Sequence, residues 1–298
     1  MDKILIKHCL FYGSYLAFPF IAYLLWRMRK SGRRVRVFGG CLLALSLLFV
    51  WARFVEPQMI RVRETTLSGT GMNADIVLIS DIHLGIYKDA GFLERVVSRI
   101  NTLPADAVVV AGDLTYEPEP GALPALFAPL ARLRKPVYAV LGNHDQQAPG
   151  PDIDHALRQA LAGHGVEILE GRLVDTQSGY RWAGLGDRWA GKDDPAFLKA
   201  RPATEPTIVV AHNPDSAMRL APTDAAIVLA GHTHGGQIRI PWLYRRAIPS
   251  AYGFDRSEQI AHTREGDVRV FVTTGVGEIG LPMRLFNPPT IDLLHLRR

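Results

Sequence analysis

Hydrophobic and polar positions follow two different patterns along this chain. Residues 9–26 and 37–52 form two long apolar runs that show no polar positions at helical spacing. Beyond residue 74, apolar runs of only four or five residues alternate with amphipathic stretches and polar loops. The pattern therefore predicts an N-terminal segment and a folded body that occupy different surroundings.

The two N-terminal runs have the composition of membrane helices. Residues 9–26 contain no formally charged side chain, and neither do residues 37–52. A helix crosses the bilayer core with about 20 apolar residues, within a range of roughly 17–25. We therefore predict a membrane segment over residues 1–56, with two helices inside 4–55 joined by a basic loop at 27–36. A pair of core helices in a soluble protein is the alternative.

The basic loop also predicts an orientation. Residues 27–36 carry six Lys or Arg side chains, and short loops rich in these residues stay in the cytoplasm. The body is then expected outside the bacterial cytoplasmic (inner) membrane, in the periplasm or extracellular space. The alternative is a cytoplasmic body, with residues 4–55 as a re-entrant or interfacial hairpin. The two cysteines, Cys9 and Cys41, permit either compartment and exclude a disulfide scaffold.

The body repeats a strand–helix rhythm. Its short apolar runs lack alternation, which is typical of strands buried on both faces of an α/β layered fold. The predicted strands are 76–79, 107–110, 137–141, 208–210, 226–229, 268–273 and 290–296, with helices at 92–100 and 153–162 and a hairpin within 173–186. Residues 57–73 are mixed and polar, and they predict a linker running into the first strand, so that the body spans 74–298.

Chemically distinctive side chains directly follow five of these strands. They are Asp81 and His83, then Asp113, then Asn143 with His144 and Asp145, then His212, and finally His232 and His234. Each group alone is a common turn, but strand ends of an open α/β sheet meet at one edge, where ligands bind. Seven oxygen and nitrogen ligands exceed the needs of one tetrahedral ion. The spacing therefore predicts two divalent ions sharing a carboxylate.

Charge argues against a nucleic-acid partner. The net charge is +5, yet residues 1–55 carry nine Lys or Arg and one acidic residue. The remaining residues are slightly acidic and provide no net field that would attract DNA or RNA. No nucleic acid is expected as a partner, and the sequence indicates no protein partner.

The ordered motifs resemble the signature of the calcineurin-like metallophosphoesterase superfamily over about residues 74–296. The motifs are D-x-H at 81–83, G-D at 112–113, G-N-H-D at 142–145, a single His at 212, and G-H-x-H at 231–234. The resemblance implies a β-sandwich of mixed sheets flanked by helices, preceded here by the N-terminal membrane hairpin. It makes 74–298 a catalytic domain.

The same resemblance implies a role for each residue of the motifs. Asp81, His83 and His234 would hold one divalent ion, Asn143, His212 and His232 the second, and Asp113 would bridge them. His144 would donate a proton to the leaving group, oriented by Asp145. Two such ions clamp a phosphoryl oxygen and a hydroxide that attacks phosphorus. Imidazole ligands favour Mn, Fe or Zn, and Mn is expected first.

Departures from the general pattern favour one branch of the superfamily. Serine/threonine protein phosphatases carry Asp-Arg-Gly after their Gly-Asp and a Glu after Asn-His, whereas this chain has GDLTYEPEP and GNHD. The segments GHTHGGQIRIP and GVGEIGLPMRLFNPPTIDLL look like a bacterial membrane-associated phosphodiesterase branch. That branch includes relatives of UDP-2,3-diacylglucosamine pyrophosphatases of lipid A synthesis.

The resemblance leaves three functions open. The first is a membrane-anchored hydrolase acting on a phosphodiester or pyrophosphate of a lipid or envelope substrate. The second is hydrolysis of UDP-2,3-diacylglucosamine by a cytoplasm-facing domain, and the third is an inactive binding protein on the same fold. Candidate residues for an apolar pocket are Trp189, Trp242, Leu243, Tyr244 and Tyr252, and candidates for a second phosphate are Arg188, Arg245 and Arg246. Ordinary loop packing and solvated surface arginines are the respective alternatives.

Overall fold

The computed structural model describes residues 3–146, 152–199 and 205–298. Residues 1–2 of the predicted membrane segment, and 147–151 and 200–204 of the predicted body, lie outside the described residues. The α-helices are α1 Lys3–Gly13, α2 Ala17–Arg29, α3 Arg33–Val50, α4 Ala90–Ile100, α5 Leu123–Phe127, α6 Asp154–Gly163 and α7 Ala196–Lys199. The strands are β1 Arg61–Leu67, β2 Ala74–Ile79, β3 Leu84–Gly85, β4 Ala107–Ala111, β5 Thr115–Tyr116, β6 Val137–Val140, β7 Val166–Ile168, β8 Leu173–Asp175, β9 Arg181–Gly184, β10 Thr207–Val210, β11 Ile227–Ala230, β12 Ser257–Thr263, β13 Gly266–Val272 and β14 Thr290–Leu296.

The N-terminal helices form two continuous helical stretches with apolar surfaces. Lys3–Arg29 contains 27 residues and Arg33–Gln58 contains 26, with mean hydropathies of 1.5 and 2.0. Only 6% and 11% of their most apolar windows are buried, so their hydrophobic side chains face outward. A helix that is apolar all round needs either a protein core or a membrane around it. By length and composition, both stretches are able to cross a bilayer.

Two six-stranded mixed sheets form the body. Their strand orders are β1-β14-β2-β4-β6-β7 and β12-β13-β11-β10-β9-β8. Alternate residues of β2 enter different cores: Ile76 and Leu78 pack between the sheets, whereas Val77 and Ile79 pack against the helices. The predicted α/β sandwich of mixed sheets is therefore confirmed.

Two outer layers cover the sandwich. On the first sheet, α4 contributes Leu93 and Val97 to the core that it shares with Val77 and Ile79. A separate cluster covers the second sheet on its outer face. The predicted hairpin is also present, because β8 and β9 pair antiparallel.

The N-terminal edge of the first sheet differs from the sequence expectation. The predicted linker over 57–73 contains β1, which pairs parallel with β14 from Arg61 opposite Thr290 to Leu67 opposite Leu296. The strand lies at the sheet edge and stays largely exposed or half-buried, so its polar sequence resembles that of a linker. Arg63 fixes it to β14 through an ion pair with Asp292, Nε to Oδ1 2.5 Å.

Parallel pairing positions the functional side chains. In the first sheet β2, β4 and β6 run parallel, and in the second β10 and β11 run parallel. The turns that follow these five strands contribute to one site at the carboxyl edges of the two sheets, as expected for an α/β fold.

Candidate metal centre

Two groups of buried ligand atoms lie at the carboxyl edges of the sheets. One group contains Asp81, His83 and His234, and the other contains Asp113, His212 and His232. The ligand atoms within each group lie within 4.8 Å of one another. The six residues come from four different strand ends, so the fold brings together side chains up to 153 positions apart in sequence.

Asp113 lies between the two groups. Its Oδ2 is 3.6 Å from Nε2 of His83 and 3.2 Å from Nε2 of His212. Its Oδ1 accepts a hydrogen bond from the backbone N–H of His144 at 2.9 Å, which fixes the rotation of the carboxylate. Asn143 extends the second group, with its Oδ1 3.2 Å from Nε2 of His212. All seven predicted ligands therefore converge, and one oxygen faces both groups.

Backbone carbonyls set the tautomers of two histidines. Nδ1 of His83 lies 3.1 Å from the carbonyl oxygen of Thr115, and Nδ1 of His212 lies 2.8 Å from that of Ala111. A carbonyl only accepts, so each Nδ1 carries a proton, and each ring in its neutral form presents the lone pair of Nε2 to the site. Nε2 of His83 is 3.1 Å from Nε2 of His234. Imidazole nitrogens that face one another at this distance are well placed to share a cation.

Burial gives two of the histidines the protonation state that metal ligands need. Burial lowers the pKa of His83 and of His232 to about 3, so both rings are neutral. Burial also lowers the pKa of His212, but the charge of Asp113 outweighs this effect and raises the pKa to about 10, so that ring must lose a proton to bind an ion. Asp81 is fully buried, and its Oδ1 has no hydrogen-bond partner among the described residues. A buried carboxylate oxygen without a partner is unfavourable unless a cation compensates it. The carboxylate, amide and imidazole donors therefore fit two divalent ions of the Mn, Fe or Zn type.

The backbone is strained at five of the seven ligands. Asp81, His83, Asp113, His232 and His234 have φ between 50° and 68°, in the left-handed region. Each such non-glycine residue costs on the order of 1–3 kcal/mol, and such residues cluster at functional sites. The residue types gave no indication of this strain in the sequence.

Two glycines allow the turns to approach one another closely. A Cβ at Gly142 would overlap Oδ1 of Asp113, and a Cβ at Gly231 would overlap the Ser80 hydroxyl. That hydroxyl donates to Oδ2 of Asp81, a contact that sequence reasoning missed because Ser80 precedes the motif. The turns can meet only where no side chain stands between them.

His144 faces the site without belonging to either metal group. Its ring packs edge-on against His83, with centroids 5.2 Å apart, and against Tyr116 at 5.4 Å. Burial lowers its pKa, an effect that the neighbouring Asp113 opposes. Tyr116 carried no motif and was missed from the sequence. The imidazole is thus held by aromatic packing at the edge of the metal groups.

Asp145 occupies a different role from the one expected. Its Oδ1 accepts from the backbone N–H and the hydroxyl of Thr115, at 2.9 and 2.7 Å. Its Oδ2 accepts from the N–H groups of Leu114 and Gly142, both at 3.0 Å. With both oxygens occupied in this way, the carboxylate joins the turn after β6 to the turn after β4. Asp145 therefore positions the backbone that carries Asn143 and His144, in place of orienting the His144 ring directly.

A cleft of about 350 Å³ opens over the two groups. Polar ligands form its floor, and Trp189 forms one wall, with its ring edge-on to His232 at 4.5 Å between centroids. Ile238, Ile279 and Leu281 add apolar surface. Five exposed apolar side chains lie within or close to the two chain segments that line the cleft, and we call them the apolar rim: Ile240, Trp242, Leu243, Leu281 and Phe286.

The other candidate pocket residues lie outside the cleft. Tyr244 packs its ring under the guanidinium of Arg239, 3.8 Å from the centroid. Arg188 pairs with Asp193 at 3.3 Å, and Arg245 and Arg246 are exposed on the surface. Of the aromatic candidates, Trp189 alone belongs to the described lining of the cleft.

Comparison with known proteins assigns the family. Residues 74–236, more than half of the chain, match the model of the calcineurin-like phosphoesterase family. The chain belongs to the calcineurin-like phosphoesterase family. Its members are metal-dependent phosphoester hydrolases with a dinuclear divalent metal centre, and the predicted enzyme class is confirmed.

Relatives of this calcineurin-like phosphoesterase cover most of its length. The metallophosphoesterase YkuE of Bacillus subtilis is 30% identical over 294 residues, spanning 91% of this chain and 99% of that protein. The phosphodiesterase YaeI of Escherichia coli is 28% identical over 277 residues, spanning 89% and 99%. The UDP-2,3-diacylglucosamine pyrophosphatase LpxG of Chlamydia trachomatis is 27% identical over 258 residues, spanning 67% and 77%.

Proposed function

We propose that this calcineurin-like phosphoesterase is a membrane-anchored hydrolase of phosphodiester or pyrophosphate bonds in a lipid-linked or envelope substrate. One observation carries the dinuclear part of the proposal. Oδ2 of Asp113 lies within 3.6 Å of His83 and 3.2 Å of His212, which belong to different ligand groups. A single carboxylate oxygen in this position suits two ions held side by side.

The proposal assigns each ligand to one ion. Asp81, His83 and His234 would hold the first ion, and Asn143, His212 and His232 would hold the second, with Asp113 shared between them. The ions supply charge neutralisation for the phosphoryl oxygens and raise the acidity of water. Manganese is our first expectation from the mixed imidazole and oxygen ligands, with iron or zinc as alternatives.

The protein's own residues then position the reaction. His144 lies at the edge of the metal groups and lines the cleft, where its imidazole is placed to give a proton to the departing oxygen. Asp145 holds the turn that carries His144 and Asn143. The cleft walls exclude water from one side of the substrate through Trp189 and Ile279.

Hydrolysis of a chromogenic diester tests the enzymatic proposal. Purified full-length chain is expected to contain close to two divalent ions and to hydrolyse bis(p-nitrophenyl) phosphate. Chelation should abolish the activity, and added Mn²⁺ should restore it. A chain that binds two ions yet hydrolyses neither this diester nor pyrophosphate esters would support the binding-protein alternative.

The lipid-linked substrate has separate support. Two helices are long and apolar enough to cross a membrane, and the cleft is walled by apolar side chains. Among the relatives, LpxG is named as a UDP-2,3-diacylglucosamine pyrophosphatase. Hydrolysis of UDP-2,3-diacylglucosamine is therefore the second candidate function, and it requires the catalytic domain to face the cytoplasm, where nucleotide-linked precursors are made.

Membrane orientation decides between these substrates. The basic loop at 27–36 supports a catalytic domain outside the cytoplasm, and that location would favour phospholipid headgroups, lipid carriers or other envelope phosphoesters. Reporters fused after Arg298 test this placement. We expect an alkaline phosphatase fusion to be active and a fluorescent protein fusion to be dark. The opposite result would place the domain in the cytoplasm and make UDP-2,3-diacylglucosamine the first substrate to assay.

A further inference from the structure

Exposed apolar side chains of the body are concentrated at the cleft mouth. In the described chain beyond residue 58, the large exposed hydrophobic residues are Trp189, Ile240, Trp242, Leu243, Tyr252, Ile260, Leu281 and Phe286. Five of these eight form the apolar rim. Trp242, at 92% exposure, has almost its whole side chain outside the fold. A concentration of exposed apolar side chains of this kind is typical of an interaction site.

A backbone hydrogen bond joins the segment between Leu281 and Phe286 of the apolar rim to the end of the second N-terminal helix. The backbone N–H of Arg284 donates to the carbonyl of Ala52 at 2.9 Å. The next residue, Leu285, accepts from the N–H of Arg239 at 2.9 Å, immediately before Ile240 of the rim. The rim therefore lies beside the point where the helix meets the body.

The first N-terminal helix contacts the body near the other side of the metal groups. Lys7 pairs with Glu117 at 2.5 Å, and its ammonium lies 4.2 Å from the ring centroid of Tyr116. Tyr116 in turn packs against His144. Both helices thus meet the body close to the catalytic groups, and the membrane that they enter lies on that side.

The side chains at the body end of the second helix and in the apolar rim are typical of a bilayer interface. Trp51, 43% exposed, lies at the body end of the second helix, and Trp242 extends from the rim. Tryptophan is enriched at the headgroup level of membrane proteins. Arg245 and Arg246, both exposed, come shortly after Leu243 of the rim in sequence and suit anionic headgroups. A lipid surface satisfies both the apolar and the basic parts of this segment.

We propose that the apolar rim inserts into the interfacial layer of the same bilayer that holds the N-terminal helices. The cleft then opens at the membrane surface, and a phosphoester headgroup enters it from the plane of that leaflet. This inference rests on the proposed membrane anchoring, and it adds the direction from which the substrate arrives. The occupant of the rim is lipid, because the rim continues a surface that the helices already bring to the bilayer.

Site-directed fluorescence in liposomes tests the insertion. Full-length chain with Cys9→Ser and Cys41→Ser receives one new cysteine, Leu243→Cys or Phe286→Cys, labelled with an environment-sensitive fluorophore. Quenching is measured with nitroxide-labelled lipid and, separately, with aqueous iodide. The control is Ser178→Cys, in the exposed turn before β9 and at the opposite edge of the second sheet from the ligands.

We expect both rim labels to be quenched several-fold more strongly by nitroxide lipid than the Ser178→Cys label, and to be shielded from iodide. Trp242→Glu, added to Leu243→Cys, should reduce the lipid quenching several-fold, whereas Ile260→Glu, an exposed apolar position outside the rim, should leave it unchanged.

Iodide quenching equal to that of the control would overturn the proposal. So would shielding from iodide without lipid quenching, which would indicate a protein partner or a second copy. None of these readouts depends on hydrolysis, which the diester assay measures separately.

Discussion

A single oxygen atom of Asp113 connects the two ligand groups. Asp113→Ala removes a ligand from both ions at once, whereas each of the other six ligand positions contributes to one group. We therefore expect this substitution to lower metal content from about two ions toward zero and to cause the largest activity loss of any single ligand change. Metal analysis and diester hydrolysis measure the two effects.

The matched control for Asp113→Ala is Asp292→Ala. Asp292 is also a fully buried aspartate, but it pairs with Arg63 of the edge strand β1 and belongs to neither ligand group. Its loss should reduce stability and leave metal content intact. Near-normal metal content and rate in Asp113→Ala would refute the bridging assignment.

Substitution of His144 is expected to lower the rate of hydrolysis without changing the metal content. General acid assistance typically contributes about 10²–10⁴-fold to a rate. His144→Ala should lower turnover by that order on diesters with poor leaving groups. A nitrophenolate leaving group needs less protonation, so its release should be slowed much less.

The exposed imidazole of His262, paired with Asp267 on a surface hairpin, provides the control substitution His262→Ala. That variant should behave as the wild type on both substrate types. Equal losses on good and poor leaving groups in His144→Ala would contradict the acid role.

At the scale of elements, Asp145 joins two turns that carry ligands. Asp145→Ala leaves three buried N–H groups and the Thr115 hydroxyl without their acceptor. Each unsatisfied buried donor costs about 1–3 kcal/mol, so we expect a loss of roughly 3 kcal/mol or more in the free energy of unfolding. Because the role is structural, chemical denaturation should show this loss in metal-free protein as well.

Asp224→Ala is the control for the stability loss expected in Asp145→Ala. Asp224 accepts a hydrogen bond from only one backbone N–H, that of Ala221 at 2.8 Å. Its expected cost is about 1 kcal/mol. If Asp145→Ala destabilised metal-free protein no more than Asp224→Ala, the turn-joining role would be wrong.

The elements that could be predicted were those buried on both faces. The run Ala107–Ala111 is wholly apolar because both of its faces meet a core, and its end therefore marked Asp113 as a candidate ligand. Strand β1 lies at an edge, and its partner β14 is more than 220 positions away, so local composition indicated a linker. The role of Asp145 could not be predicted from local sequence, because its partners Leu114 and Thr115 lie about 30 residues earlier.

At the scale of the whole molecule, Glu56 couples the second N-terminal helical stretch to the body. Its Oε1 accepts from the N–H of Asn287 at 2.5 Å, and its Oε2 accepts from the indole of Trp51 at 2.9 Å. Glu56→Ala should release the helix end and speed proteolysis within residues 57–60, while metal content stays unchanged. Limited proteolysis in liposomes measures the change.

Gln58→Ala is the control for Glu56→Ala, because Gln58 bonds Arg95 at the exposed surface. It should leave the cleavage rate near that of the wild type. Unchanged protection in Glu56→Ala would show that other contacts suffice to hold the helices against the domain.

The position of β14 has a consequence for how the protein is made. This strand lies between β1 and β2, and its Asp292 bonds Arg63 from 229 residues earlier. The first sheet therefore cannot close until β14 has left the ribosome, long after both N-terminal helices have emerged. At about 5–20 residues per second, synthesis of the body takes at least roughly ten seconds. Under the proposed membrane anchoring, the nascent chain would reach the bilayer while this sheet is still open, in a state that a translocation channel can still thread.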